Sequence, residues 1–521
     1  MMPIPLTVAG LVRSQRRWED KPLLVCDSER LSYADAERFS ASLAGRLVEL
    51  GVGKGTHVGL LYPNGAQFVV AMLAATRIGA VAVPFSTFST APELRTQLVD
   101  SDVTVLLAAR SFRSHDYVGR LGEALSTSPE TPGPLYCVAA PALRHVVFTG
   151  DEHAATTAFV STGLEDDVGC DDVMAIIYTS GSTGTPKGVV HTHAALLEHQ
   201  HNLNEIRRLR SSDRLFCNSP FFWIGGFAFG LLATMVSGAT LVCSNATDAG
   251  ETLDLLEAEK PTITNGFVAG ITHLTRHPSF SGRDLHSMRR GNLYPIMAPD
   301  VRPADTELRH NMLGMTEAGS VLLLSGDDTD QPETRRGSYG ALAPGFAARV
   351  VDPDTGRDVA TTELGELLIR GPHVMQGYYG RSREECFDPD GWFHTGDLVR
   401  CDNDGFYYFA GRAGSMIKTS GANVAPAEVE KALAAVIEAT DPAATAHVLG
   451  LADADRGQMV AAVVATDSPA MLDAASILQA LRSELSAYKI PRRLIVVRHP
   501  ELPVLSSGKI DVPGLRRLFG D

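Results

Sequence analysis

The sequence has no C-x-x-C pair. Its seven cysteines, Cys26, Cys137, Cys170, Cys217, Cys243, Cys386 and Cys401, are scattered along 521 residues. An odd, sparse set excludes a disulfide framework and points to reduced thiols in a cytosolic protein. Basic residues are also in deficit, 46 Lys and Arg against 61 Asp and Glu, for a net charge of -15. A nucleic-acid binder usually carries the opposite sign. An anionic ligand therefore needs a local basic or amide-lined site set against the global field. The first residues lack a basic stretch followed by a long apolar run, so no signal peptide is expected. One stretch, residues 221–245, lacks charge altogether and is long enough to cross a bilayer. Its four glycines, its strand-like end at residues 239–244 and its flanks without Lys/Arg runs predict instead a buried helix feeding a buried strand. Solenoid repeats and low-complexity tracts are missing too.

What is there is an ordinary globular composition, 44% hydrophobic and 21% charged, which excludes a disordered chain, a collagen and a coiled coil. The length calls for several domains or one large domain with subdomains. Residues 40–60, 67–85 and 92–108 each read as helix, turn and apolar strand, and further apolar strands are expected at 175–178, 239–244 and 262–267. Helices alternating with short all-apolar strands predict parallel sheets covered by helices. Beyond Gly340 the strands shorten and turn signals multiply, which predicts a small antiparallel sheet or barrel. After Arg412 a loop, a helix from Pro426, two strands and a helix at 475–487 suit a compact α+β unit over 413–521.

The sharpest feature is Tyr178-Thr-Ser-Gly-Ser-Thr-Gly-Thr-Pro-Lys-Gly188, directly after an apolar strand. It packs five hydroxyls (Thr179, Ser180, Ser182, Thr183, Thr185), three glycines (Gly181, Gly184, Gly188) and Lys187 into eleven residues. Glycines let a backbone approach a phosphate, hydroxyls and amides donate hydrogen bonds, and the lysine adds charge. It is not a Walker A loop, because its lysine follows proline and precedes glycine.

This segment resembles the signature loop of the adenylate-forming superfamily, which includes acyl- and aryl-CoA ligases, peptide-synthetase adenylation domains and beetle luciferases. Gly314-Met-Thr-Glu317 resembles that family's aromatic-Gly-x-Thr-Glu motif, and Trp392-Phe-His-Thr-Gly-Asp397 its Thr-Gly-Asp motif. Gly411-Arg412, Ile417-Lys418, Gly421 and Pro426-x-Glu428 are similar to the segment joining its two domains. Leu505-Ser-Ser-Gly-Lys509 resembles its C-terminal Gly-Lys. The resemblance covers nearly the whole chain and favours the acyl-CoA ligase branch. It implies an α/β fold: a large N-terminal AMP-binding domain over 1–412, built of doubly wound subdomains plus a small β-barrel, and a smaller mobile α+β lid over 413–521, hinged at Gly414.

The activity implied is a two-step ligation. ATP and a carboxylic acid give an acyl-adenylate and pyrophosphate, and CoA then displaces AMP. Joining two anions needs cations and metal at the phosphates. Lys509 would bridge the attacking carboxylate and the α-phosphate, Thr316 would contact that phosphate, and Glu317 would hold Mg²⁺. Thr179, Ser180, Gly181, Ser182, Thr183, Gly184 and Lys187 would cradle phosphates, with Gly314 and Met315 beside them. Asp397 would accept the ribose hydroxyls, Arg412 would contact ribose or phosphate, and Gly421 would border the CoA tunnel. In Tyr488-Lys-Ile-Pro-Arg492, Lys489 would meet CoA phosphates.

Four positions depart from the family pattern. Leu313 replaces the aromatic that stacks on adenine, a contact worth roughly 1–3 kcal/mol. The Gly-Gly-Ala-Pro-like adenine loop is replaced by Arg290-Gly-Asn-Leu-Tyr-Pro295. Trp223 takes the place of the usual histidine in Phe222-Trp-Ile-Gly-Gly226, and Gly414 that of the usual Asp or Lys. Two of these lie at the adenine, which opens an alternative: a chain that mainly thioesterifies an adenylate made by a separate partner enzyme. A silent acyl or adenylate binder is the alternative of another class.

No acidic residue stands where amino-acid-activating relatives hold an ammonium, and no carrier domain is expected in the twelve residues after Lys509. An uncharged hydrophobic acid fits best, with Trp223, Phe227, Phe267, Met315 and Ser320 as candidate lining. Whether the acid is fatty, aromatic or polycyclic, and whether the chain forms a homodimer, stay open. His191, His193, His199 and His201 cluster after the loop. A H-x-H pair can chelate a metal, but a helix following the loop is the better expectation.

Overall fold

A computed structural model describes residues 5–150, 162–179, 186–353, 355–412, 417–438, 440–503 and 510–520. The chain forms two compact units. The larger comprises Met1–Thr87, Leu98–Tyr178 and Gly188–Gly411, and the smaller Phe88–Gln97, Thr179–Lys187 and Arg412–Asp521.

The larger unit contains two mostly parallel sheets. In the seven-stranded one, His57–Leu61 lies between Val81–Pro84 and Val105–Ala108, with His145–Phe148 at the end, all parallel. Val81–Pro84 and Val105–Ala108 are buried at every position. That explains why their sequence shows unbroken apolar runs rather than alternation: both faces are covered. In the six-stranded sheet Ile263–Asn265, Arg214–Cys217, Thr240–Cys243 and Pro22–Cys26 run parallel, and Glu29–Ser32 adds an antiparallel edge.

The uncharged stretch ends in a strand of this sheet. It forms a π-helix over Gly225–Leu232, an α-helix over Ala233–Ser237, and the buried strand Thr240–Cys243. The glycines explain how so apolar a segment packs. A Cβ on Gly226 would stand 2.1 Å from the Pro220 carbonyl oxygen, so only glycine admits the close approach. Among the described residues no helix is long and apolar enough to cross a membrane.

The antiparallel region takes the form of two sheets. Leu313–Met315, Ser320–Leu324 and Ala341–Leu342 make one, and Ala347–Val351, Gly365–Arg370, Phe393–Cys401 and Tyr407–Arg412 the other. Both contribute to one apolar cluster that includes Leu313, Leu323, Leu367, Ile369 and Phe393.

In the smaller unit Thr445–Asp453 and Gly457–Thr466 form a long antiparallel hairpin, flanked by Ile417–Thr419, Ala422–Val424 and the parallel strand Arg493–Arg498. Alternation decides its faces. Val460, Ala462 and Val464 pack with Val429, Leu433 and Leu481 from helices Pro426–Glu438 and Ala474–Glu484, while Ala461 and Val463 pack with Leu515 and Phe519.

Candidate active site

The strand Val173–Thr179 leads into the phosphate-loop segment and Lys187–Thr192 leads out of it. Thr179 and Lys187 are half-buried at those ends, while Ser180, Gly181, Ser182, Thr183 and Gly184 lie outside the described residues. Thr192 caps the helix that follows, His193–Arg207, its side chain accepting from the Ala195 N–H at 3.1 Å. Beyond the loop, Val189 and Val190 pair with Tyr378 and Gly377. This pairing brings in Tyr378, which the sequence reading did not single out.

Tyr378 meets the second motif. Leu313–Met315 turns back on Ser320–Leu324, with Met315 opposite Ser320 and Thr316–Ala318 at the bend. The Tyr378 hydroxyl donates to Glu317 Oε1 at 2.8 Å, and the Met375 N–H donates to the Glu317 carbonyl at 2.8 Å. Gly314 is required by close approach, since a Cβ there would lie 2.8 Å from the Ser320 oxygen. Ser320 itself adopts φ +147°, a strained backbone that costs about 1–3 kcal/mol and persists only where its surroundings hold it.

Glu317 is 8% exposed, and among the described residues no lysine or arginine pairs with it. A buried carboxylate without a counter-charge, with one oxygen already fixed by a hydroxyl, fits magnesium, which takes one or two protein carboxylates alongside phosphate oxygens.

Asp397 sits buried on Phe393–Cys401, its N–H donating to Thr395 Oγ1 at 3.0 Å. Arg412 ends the strand Tyr407–Arg412, and its side chain lies outside the described part. Gly414 and Lys509 also lie outside the described residues. Gly421, at φ +84°, follows Ser420 at +50° in the hairpin joining Ile417–Thr419 to Ala422–Val424.

Lys489 is not placed as a free cation. Its ammonium is buried and bonded to Glu93 at 2.8 Å and Glu428 at 2.7 Å within the smaller unit. Burial opposes its charge, but Tyr488, Glu93 and Glu428 more than reverse this, so it is held above the usual lysine range. An ammonium engaged by two carboxylates has little left to offer a phosphate.

Of the candidate acyl-binding residues, Trp223 and Phe267 come together, edge to face at 6.1 Å. Phe267 is 36% exposed. Two asparagines fix the backbone of Gly266 and Phe267. Asn218 accepts from the Phe267 N–H at 3.0 Å and donates to its carbonyl at 3.1 Å. Asn292, in the segment that replaces the adenine loop, donates to the Gly266 carbonyl at 2.7 Å. Phe227 has no exposed surface and packs edge-on against Phe68 at 6.3 Å, which is the environment of a core residue. Met315 and Ser320 are buried in the motif turn.

The histidines do not assemble a metal centre: no cluster of three or more metal-ligating side chains occurs among the described residues. His191, His193 and His199 are fully buried. Burial pushes the rings down, His193 to about 4 and His199 to about 3.

Comparison with known proteins bears on this arrangement. Residues 11–379 match the AMP-binding enzyme family, and residues 428–509 match the AMP-binding enzyme C-terminal domain. A feruloyl-CoA synthase of Amycolatopsis sp is 32% identical over 501 residues, covering 94% of this chain and 94% of that protein. A putative acyl-CoA synthetase of Bacillus subtilis (strain 168) is 30% identical over 514 residues, covering 94% of this chain and 92% of the other. A solved structure of a double mutant of o-succinylbenzoate CoA synthetase from Bacillus subtilis is similar with a TM-score of 0.76 at 23% identity, covering 97% of this chain and 98% of its own.

Proposed function

The chain belongs to the AMP-binding enzyme family, in the CoA-ligase branch of the adenylate-forming superfamily, and from that premise we propose that it activates an uncharged, hydrophobic carboxylic acid as an acyl-adenylate and passes the acyl group to the thiol of CoA. The observation that carries this reading is the Thr316–Glu317 turn, a hydroxyl next in sequence to a buried carboxylate that has no counter-charge among the described residues and is held by Tyr378. In the first half-reaction a carboxylate oxygen of the acid attacks the α-phosphorus of ATP, and the bond to the β-phosphate breaks as pyrophosphate leaves. Lys509 bridges the two anions, Thr316 steadies the α-phosphate, the loop from Thr179 to Lys187 holds the remaining phosphates, and Asp397 and Arg412 hold the ribose end. Glu317 is the residue that would hold Mg²⁺, which supplies positive charge against the phosphate oxygens when bound. In the second half-reaction the thiol sulfur attacks the acyl carbonyl and AMP departs with the bonding pair. Gly421 borders the thiol's approach, residues 413–521 form the lid and Gly414 its hinge. Lys489 has no part in this reading.

The substrate class rests on the apolar edge of Trp223 and Phe267. A feruloyl-CoA synthase among the relatives supports an aromatic acid within that class. The seven free thiols support a cytosolic setting.

One observation favours a second reading. Leu313 is buried in the apolar cluster, where the family pattern has an adenine-stacking aromatic. A weakened nucleotide site would leave mainly the thioesterification of an adenylate made by a partner enzyme. Pyrophosphate release with ATP, Mg²⁺ and a panel of hydrophobic acids tests the first reading. We expect release with at least one acid. Lys509→Ala should cut it by about 10²–10³-fold while sparing thioester formation from supplied adenylate. Equal loss of both half-reactions contradicts the role given to Lys509.

A further inference from the structure

The bend from Thr316 to Val321 is gripped from the side by residues outside all the family-like motifs. The imidazole Nε2–H of His191 donates to the Thr316 carbonyl at 2.7 Å, and that of His199 to the Val321 carbonyl at 2.9 Å. Gln200 Nε2 donates to Ser320 Oγ at 3.0 Å and to the Gly319 carbonyl at 3.3 Å. Carbonyl oxygens only accept, so both rings are fixed as the Nε2–H tautomer. All three side chains are buried, and His191 Nδ1, His199 Nδ1 and Gln200 Oε1 find no hydrogen-bond partner among the described residues. A buried polar atom without a partner is costly. Leucine or methionine would fill these positions without that cost. What the polar side chains provide in return is the hold on three carbonyls and the Ser320 hydroxyl of a turn that carries Thr316 and Glu317 and passes through strained Ser320.

We propose that His191, His199 and Gln200 are positioning residues for adenylate formation, fixing by their N–H groups the carbonyls of Thr316, Val321 and Gly319 and thereby the direction of the Thr316 hydroxyl and the Glu317 carboxylate. The inference rests on the role proposed above for that turn. It differs from a packing role in what it demands: a donor at each position, not merely bulk. Side chains that orient a reacting group from behind typically change activity by about 10–100-fold when lost.

The test compares donor-lacking with donor-retaining variants: His191→Leu and Gln200→Met against His191→Gln, with His199→Leu against His199→Gln. Three quantities are read on each full-length protein: kcat and KM for ATP-dependent pyrophosphate release, the affinity for AMP in metal-free buffer by calorimetry, and the melting temperature. Donor-lacking variants that stay folded should lose about 10–100-fold in kcat and bind AMP more weakly, with KM for the acid unchanged. The glutamine variants at 191 and 199 should recover most of that loss. Should His191→Leu not fold, Gln200→Met and the glutamine variants still decide the matter. Donor-lacking variants that melt lower yet keep wild-type kcat and AMP affinity would overturn the inference and leave the proposed function standing. A wild-type protein that forms no adenylate with any acid would overturn both.

Discussion

Two regions of the larger unit are built on opposite principles. The Thr316–Val321 turn is buried from Glu317 to Ser320, strained at Ser320, and tied by the side chains of His191, His199, Gln200 and Tyr378 and by the Met375 N–H. The Trp223–Phe267 face is apolar and partly open, with Phe267 36% exposed, and its backbone is tied by Asn218 and Asn292. A tied backbone beneath a partly exposed aromatic edge suits an adaptable apolar surface. A fixed backbone with fixed carboxylate suits charge stabilisation, where geometry must already be set when the charge develops. On the function proposed above, the turn assigned to phosphate chemistry should tolerate little change and the face assigned to the acid more.

The comparison can be broken most forcefully at Phe227, which sequence reasoning places on the acyl face and which the structure buries against Phe68. Phe227→Ala should cost about 3–5 kcal/mol of stability, as for a large aromatic removed from a core, with acid selectivity unchanged among molecules that remain folded. Denaturant unfolding alongside an acid panel checks both. Next, Glu317→Gln should lower adenylate formation by about 10²–10³-fold and leave the ranking of acids intact. A changed ranking would mean that the two regions are not separate in function.

Acid provides a third lever. His193 and His199 are kept neutral by burial, at about 4 and about 3, with Asp172 and Lys54 near the first and His373 against the second. In the unfolded chain each takes a proton below about 6.5, so there the unfolded state binds more protons than the folded one. Stability is therefore full above that value. It falls as pH drops from about 6.5 toward the folded values, by about 2 kcal/mol per ring between pH 7 and pH 5. Melting curves read against pH should steepen in that window, and His199→Gln should remove one ring's share. The smallest effect is expected at the open face. Trp223→Ala should shift the kcat/KM ratio between large aromatic and small acids by about 10–200-fold, the 1–3 kcal/mol scale of a hydrophobic fit, with KM for ATP unchanged.

The two regions also differ in how well the sequence announces them. Gly314 through Glu317 are contiguous, and their chemistry shows in the residue types themselves. The parallel sheets were legible for a similar reason: strands such as Val105–Ala108 are apolar at every position because both faces are buried. Tyr378 lies 61 residues from Glu317, and His191 lies 125 from Thr316. Nothing local marks either as a partner, since only sheet pairing and the packing of the helix His193–Arg207 bring them together. Phe227 and Lys489 show the converse, residues whose surroundings nothing local announces. An aromatic near Trp223 and a lysine in a motif-like segment carry suitable chemistry, and the structure sets the first against Phe68 and the second between two carboxylates.

The central claim is that one chain runs both half-reactions. Mass spectrometry on timed reactions tests it most directly, with ATP, Mg²⁺, CoA and hydrophobic acids in one series and synthetic acyl-adenylates with CoA in the other. The account predicts acyl-CoA in both series, with the adenylate appearing first in the series that starts from free acid. Acyl-CoA from supplied adenylate alone would contradict it.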